Sequence, residues 1–338
     1  MKAVAYTHIL PIGDPDSLQD MVLPDPPAPK GRDLLVEVRA IAVNPVDGKV
    51  RMRTEPAGEP KILGYDGAGV IRAMGPQAKL FHRGDEVFYA GSIARPGTNA
   101  ELHLVDERIV GPKPRKLSFA EAAAVPLTAI TAWEALFDRL RIPRGGPARK
   151  EGVLIVGGAG GVGSMAIQLA RQLTGLIVIA TAGTRESQDW ARRMGAHHVL
   201  DHSSHLGVQL KAAEVPLPYA FITTHTDQHW ATVCEALAPQ GAICIIDDPA
   251  TPPDVRLLKT RAGSLHWEMM FARAVFATPD MEEQHRLLAE VSRMLDAGTL
   301  RTTLAENLGA INAANLRRAH AMLESGHTRG KLVMEGFG

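Results

Sequence analysis

Over the first third of the chain, apolar and polar positions alternate in short runs, and no helical period is sustained. Leu34 to Val43, Gly67 to Ala73, Glu86 to Ala90 and Leu102 to Val105 read as strands separated by turn residues, which predicts an irregular, barrel-like β domain. Near residue 118 the texture changes. Ser118 and Glu121 have capping-box spacing, and the apolar run that follows to Phe137 reads as helix interrupted at Pro126. After the Pro/Gly-rich loop Pro143 to Gly152 the chain alternates strand and helix. The strands are expected at Val153 to Val156, Leu176 to Thr181, Val199 to Leu200, Tyr219 to Thr224, Ala242 to Asp247 and Ser264 to Phe271. Apolar strands separated by helices predict an α/β fold with a doubly wound parallel sheet covered on both faces. A helix over about Met281 to Leu295 follows, and the last β-like run, Gly330 to Met334, is expected to return to the first domain. The domain boundaries are accordingly set at 1–125, completed by 298–338, and 126–297.

Within the second domain, VLIVGGAGGVGSMAIQLARQLTG places Gly158, Gly160 and Gly163 at G-x-G-x-x-G spacing directly after a strand. Val162, Met165, Ala166, Leu169, Ala170 and Leu173 then form one apolar helical face, Gly175 ends the helix, and LIVIAT supplies a second strand. Such a βαβ unit lets the backbone N–H groups around Gly161 and Val162, and the positive helix end, face a pyrophosphate. At the end of the second strand the sequence is TAGTRES. Thr181 to Thr184 offer no carboxylate for ribose hydroxyls, whereas Arg185 can pair with a 2′-phosphate and Ser187 can donate to it, so NADPH is expected over NADH. Glu186 next to Arg185, and a purely solvated role for Arg185, are the alternatives.

Composition narrows the partners. Lys plus Arg and Asp plus Glu are both 37, which gives no electrostatic footprint for nucleic acid or an anionic membrane, and a small-molecule partner is expected instead. No apolar run has the length of a secretory signal or a membrane span, and a cytoplasmic location is expected. The only cysteines, Cys234 and Cys244, fall in segments that read as a buried helix and a buried strand, and two cysteines cannot supply a four-cysteine zinc site. His225, Asp227 and His229 have weak metal-ligand spacing; Asp227 or Thr226 as a helix cap is the preferred reading, and no metal ligand is expected.

The stretches AVNPVDGKV, KILGYDGAGV, GDEVFYAG, LTAITAWEALFDRL, GGAGGVGS, SLHWEMMF and RGKLVMEGF together resemble the medium-chain dehydrogenase/reductase superfamily along essentially the whole chain. The similarity is to its zinc-type alcohol dehydrogenase-like and quinone oxidoreductase branch. It implies a GroES-like, partly open β-barrel catalytic domain, a Rossmann-type nucleotide domain and substrate held between them. It also implies that His202 stands where related quinone reductases carry a phosphate-binding aromatic, that Lys331 approaches the cofactor, and that Thr128 lies near the nicotinamide. Thr224 and His225, after the fourth strand, join the expected cofactor set. Zinc-dependent relatives carry a Cys where this chain has Asn44 and a His-Glu pair where it has Tyr65 and Asp66. The four-Cys lobe is missing from Ser92 to Glu101, so neither catalytic nor structural zinc is expected.

The resemblance further implies that Asn44, Asp47, Lys49 and Tyr65 border the nicotinamide. Tyr65 or Lys49 could donate to a substrate oxygen, Asn44 orient it and Asp47 fix the loop; turn chemistry for Asn44 and Asp47, and simple packing for Tyr65, remain open. Without a Lewis acid, an acceptor that spreads negative charge is favoured. The expected activity is therefore hydride transfer from NADPH to a quinone or an α,β-unsaturated carbonyl. A zinc-dependent alcohol dehydrogenase and a non-catalytic NADPH-binding protein are the alternatives. The strand 264–271 resembles the edge through which family members pair, which predicts a homodimer.

Overall fold

The computed structural model describes all residues 1–338, and they form two compact units, Met1–Leu127 with Phe271–Gly338, and Thr128–Met270. The first unit is built on a seven-stranded sheet. Its order is Leu304–Asn307, Lys331–Glu335, Asp33–Val43, Asp66–Met74, Glu86–Tyr89 and Val110–Pro112, with Leu102–Asp106 also pairing with Asp33–Val43. Lys2–Tyr6 joins Gln19–Val22 and Lys61–Ile62 in a smaller sheet. The long strand Asp33–Val43 pairs antiparallel with three partners, and the register shifts along its pairing with Asp66–Met74 bend it as a partly open barrel requires. Its core gathers Val4, Tyr6, Leu18, Val38, Ile41, Leu63, Leu316, Leu332 and Met334.

The chain returns to this unit at Phe271 rather than at 298. The helix Glu283–Asp296 packs on Val110–Pro112, where Gly111 leaves room for Leu288 and the His285 ring contacts the Val110 carbonyl at 2.7 Å. A second departure lies in the first third, where Pro45–Arg53 is a helix and not a turn. Pro45 at its first position and the Asp47 carboxylate, which accepts the Asn44 N–H at 2.6 Å, start it.

The second unit is a six-stranded, all-parallel sheet in the order His198–Leu200, Ile177–Thr181, Gly152–Val156, Leu217–Ile222, Leu237–Ile245 and Ser264–Trp267. This is the doubly wound arrangement, with its order reversing between Gly152–Val156 and Leu217–Ile222. Gly152–Val156 is buried throughout and Leu217–Ile222 at four of its six positions, which is why both read as apolar runs. The last strand stops at Trp267, short of the expected Phe271, and it occupies the sheet edge. The expected interrupted helix is resolved into Phe119–Ala123, Pro126–Trp133 and a π-helical turn Glu134–Arg139. Cys234 and Cys244 are both buried and free. No helix is long and apolar enough to cross a membrane.

Candidate functional site

In the first unit, three strand ends meet. Pairing places Ala42 opposite Asp66 and Leu332 opposite Val43, so Asn44, Asp66 and Lys331 leave the sheet at the same end. Their side chains close on one another. The Lys331 ammonium donates to Asp66 Oδ2 at 2.7 Å and to Asn44 Oδ1, and Asn44 Nδ2 donates to Asp66 Oδ2 at 2.9 Å. The other carboxylate oxygen, Asp66 Oδ1, accepts the Leu127 N–H at 2.8 Å. Asn44, Asp47, Asp66 and Lys331 are each at most 3% exposed. A charge buried to this degree is tolerated only when paired and hydrogen-bonded, and Asp66 is both.

The cluster leaves little freedom to Asn44. Its amide N–H groups face Asp66 and, at 3.4 Å, the Ala42 carbonyl, while its oxygen takes Lys331. The amide thereby fixes the strand ends to one another. Asp47 is different. One oxygen caps the helix, whereas Oδ1 is buried without a partner, and burial pushes the carboxyl pKa up to about 7 against the opposing pull of the Asn44 N–H and the Lys331 charge. Tyr65, 2% exposed, packs edge-on against Phe271 with ring centroids 5.2 Å apart. Burial, reinforced by the Asp47 charge, raises its hydroxyl pKa, so at neutral pH the group is an O–H donor. Lys49 lines a cavity of about 370 Å³ with Asn44, Met52, His320 and Glu324.

This donor set does not suit a divalent metal. Of the three side chains standing at metal-ligand positions, Asn44 and Tyr65 are weak ligands, and the one carboxylate is already neutralised by an ammonium in direct contact. The His225, Asp227, His229 spacing has another use: the Asp227 carboxylate accepts the N–H groups of Ala250 and Thr251 at 2.9 and 3.1 Å and ties down that loop. The cap of the helix Thr226–Ala236 is neither Asp227 nor Thr226, as expected, but His225 in the left-handed conformation, φ 55°. Thr226 instead bonds the Asp247 carboxylate through both its N–H and its hydroxyl.

In the second unit the glycine turn follows Val156. Gly157 has φ +80°, its N–H donates to Thr181 Oγ1 at 3.2 Å, and the Gly158 N–H donates to the Thr181 carbonyl at 2.9 Å. Gly160 caps the helix Gly161–Leu173. The three motif glycines differ in their reasons. A Cβ on Gly158 would lie 2.8 Å from the Ala180 methyl, and one on Gly163 would collide with the Gly157 carbonyl, so both are needed for helix and strand to approach. A Cβ on Gly160 would meet nothing nearer than 3.6 Å; its missing side chain leaves open space in front of the first-turn N–H groups of Gly161, Val162 and Gly163. That cradle fits an anionic pyrophosphate.

Around the cradle, Thr181 Oγ1 contacts His202 Nδ1 at 3.0 Å, and the His202 ring sits against Gly183, where a Cβ would be 2.9 Å from Nε2. The His229 ring lies with its centroid 5.6 Å from that of His202. Burial lowers the pKa of both, that of His229 to about 4. Thr224 Oγ1 contacts His225 Nδ1 at 2.9 Å. Arg185 is exposed at the first position of the helix Arg185–Met194, whose cap is Thr184, with Ser187 on the cap hydroxyl. Thr128 is buried in the helix Pro126–Trp133. In the sequence Asp66 stands out only as a departure from the metal-ligand pattern. A carboxylate opening an apolar strand and a lysine opening another, both neighbours of the same central strand, are the signal that could have joined them.

Comparison with known proteins agrees with this architecture. Residues 30–132 match the alcohol dehydrogenase GroES-like domain, and residues 194–334 match the zinc-binding dehydrogenase family. A zinc-type alcohol dehydrogenase-like protein of Staphylococcus aureus is 42% identical over 311 residues, covering 91% of this chain and 92% of its own. A Rhizobium etli structure, described as that of a candidate zinc-dependent alcohol dehydrogenase, is 58% identical with TM-score 0.96 over 100% of this chain and 98% of its own. The quinone oxidoreductase of Coxiella burnetii is 26% identical with TM-score 0.81 over 99% of both chains.

Proposed function

The chain belongs to the medium-chain dehydrogenase/reductase superfamily, in its zinc-type alcohol dehydrogenase-like and quinone oxidoreductase branch, and from that premise we propose an NADPH-dependent, zinc-independent reductase of quinones or α,β-unsaturated carbonyls. The observation that carries the proposal is the engagement of Asp66 by Lys331 and Asn44, which withdraws the one strong oxygen ligand from metal binding. The nicotinamide cofactor, when bound, supplies a hydride to the acceptor.

The protein's own residues do the rest. The open face at Gly160 and the N–H groups of Gly161 to Gly163 hold the pyrophosphate. Exposed Arg185, with Ser187 and His202 nearby, favours a 2′-phosphate, and no carboxylate lies between Thr181 and Thr184 to hold ribose hydroxyls. Tyr65, kept as a neutral O–H donor, hydrogen-bonds the acceptor oxygen as negative charge grows on it. Such donors suffice where conjugation spreads that charge, and a simple alcohol would need a base or metal for its proton. The quinone oxidoreductase relative supports this acceptor class, while the zinc-type names of the others favour a zinc-dependent alcohol dehydrogenase as the second reading. A homodimer through the open edge Ser264–Trp267, beside which Trp267 and Met269 are 53% and 47% exposed, and a cytoplasmic location complete the proposal.

The test is oxidation of NADPH, and separately NADH, by chelator-treated protein, followed at 340 nm with quinones, enones, aldehydes and ketones. Turnover of NADPH with conjugated acceptors alone is expected. Turnover that requires added zinc and favours simple aldehydes would replace the proposal with the second reading.

A further inference from the structure

We propose that the Lys331 ammonium is the resident cation of the Asn44–Asp66 site, occupying the electrostatic place of a metal ion and closing that position to divalent metals. The inference deepens the zinc-independent reading above.

Three features carry it. First, the ammonium is placed by the fold itself: Lys331 opens the strand Lys331–Glu335, which pairs with Asp33–Val43 so that Leu332 stands opposite Val43, one residue before Asn44. Second, the contacts are reciprocal. Asp66 Oδ2 accepts from Lys331 and Asn44, Asp66 Oδ1 accepts the Leu127 N–H, and Asn44 Oδ1 accepts from Lys331. The anion is compensated by one full cationic charge and two further N–H donors, which is what a coordinated metal would otherwise supply. Third, Lys331 is 3% exposed and Asp66 0%, so neither charge can turn to solvent without breaking the strand ends. A divalent ion on Asp66 Oδ2 would sit against the ammonium, and the site holds no second carboxylate or thiolate on Asn44 or Tyr65 to offset that repulsion. Asp47, the nearest other carboxylate, has one oxygen spent on the helix cap, and burial disfavours its charged form.

Lys331 is thus a positioning residue. By joining Asp66 to Asn44 it locks the start of the strand Asp66–Met74, immediately after Tyr65, to the cap of the helix that carries Asp47 and Lys49.

Two measurements test this without using turnover, so their failure is separable from failure of the reductase reading. In the first, chelator-treated protein competes with a chromophoric chelator for Zn²⁺, alongside its Asp66→Asn variant. The two should take up the same zinc, from surface histidines only; one additional zinc per chain in the unsubstituted protein, lost in Asp66→Asn, would overturn the proposal. In the second, thermal midpoints are compared for Lys331→Met, Asp66→Asn and the double variant. Each single change strands a polar or charged partner, and Lys331→Met is expected to lower the midpoint by roughly 10 °C. The double variant should recover at least half of that loss, or fold where a single variant does not. A double variant less stable than either single one would show that Lys331 acts by packing alone, and the proposal would fall.

Discussion

Gly160 and Gly163 belong to one motif but answer to different forces, and alanine at each should separate them. At Gly160 the backbone, φ −68° and ψ 171°, is open to any residue, and the new methyl would meet only the Gly157 carbonyl, at 3.6 Å. Alanine is a poorer helix cap than glycine, but it also loses less entropy on folding, and the two effects are each below about 1 kcal/mol and opposed. The midpoint of unfolding should stay within about 2 °C. The methyl does, however, fill the space through which a pyrophosphate reaches the first-turn N–H groups. Loss of one charge-assisted hydrogen bond, about 1.5–3 kcal/mol, weakens NADPH binding roughly 10- to 100-fold. At Gly163 the methyl collides with the Gly157 carbonyl inside the fold, so helix and turn must separate and stability falls with affinity. Fluorescence titration with NADPH and a thermal melt on each variant give the four numbers needed. If Gly160→Ala binds NADPH as the unsubstituted protein does, the cradle in front of Gly160 is not where the pyrophosphate lies, and the geometric argument for the cofactor site is refuted.

Arg185→Ala should weaken NADPH by about tenfold and leave NADH within about twofold; equal losses would remove Arg185 from selectivity. Tyr65→Phe should lower kcat/KM for a poor enone acceptor by roughly 10- to 100-fold, and an unchanged value would exclude the hydroxyl from the reaction. Burial holds His103 and His229 at about 4 and His320 at about 3, below the ordinary 6.5. The folded state therefore binds fewer protons than the unfolded one up to about pH 6.5, and stability rises with pH across that window. Asp47, raised to about 7 from 3.8, and Glu268, which burial and the neighbouring Glu134 hold well above 4.5, act with the opposite sign: the stability each contributes when protonated is lost as pH rises above its ordinary value. Between about pH 4.5 and 6.5 the midpoint of His320→Leu should rise less, and that of Asp47→Asn rise more, than the midpoint of the unsubstituted protein; parallel profiles would contradict both assignments. Trp267→Arg at the open sheet edge should convert a dimer into a monomer by light scattering; a monomeric unsubstituted protein would end that proposal.

What could be read from the sequence was whatever repeats a pattern. The nucleotide unit was legible because its central strands are buried on both faces and its first helix presents a continuous apolar side, Met165, Ala166, Leu169 and Ala170 among the buried positions. The return of the chain at Phe271 was not legible, because Glu283–Asp296 is an ordinary amphipathic helix whose pattern says that it packs and not on which unit.

The helix Pro45–Arg53 shows why the candidate site leaves little trace in the sequence pattern. Its buried residues are Asp47 and Arg51, and it therefore offers no apolar period to detect. Arg51 is sequestered by the Leu10 carbonyl and Glu324, and Asp47 by the cap at Asn44, partners that are distant in sequence for one and hidden in a turn-like signature for the other. The same holds for Lys331 and Asp66, separated by more than two hundred residues and joined by register alone. Hydrophobic periodicity is a record of burial by apolar groups, so a site built by burying charges erases that record where it forms. The residue types at Asn44, Asp47 and Lys331 were identifiable, but the ion pair was not: Asn44 and Lys331 both engage Asp66, while Tyr65 is the donor we propose. In such a site the compensation of each buried charge decides which groups remain available for chemistry.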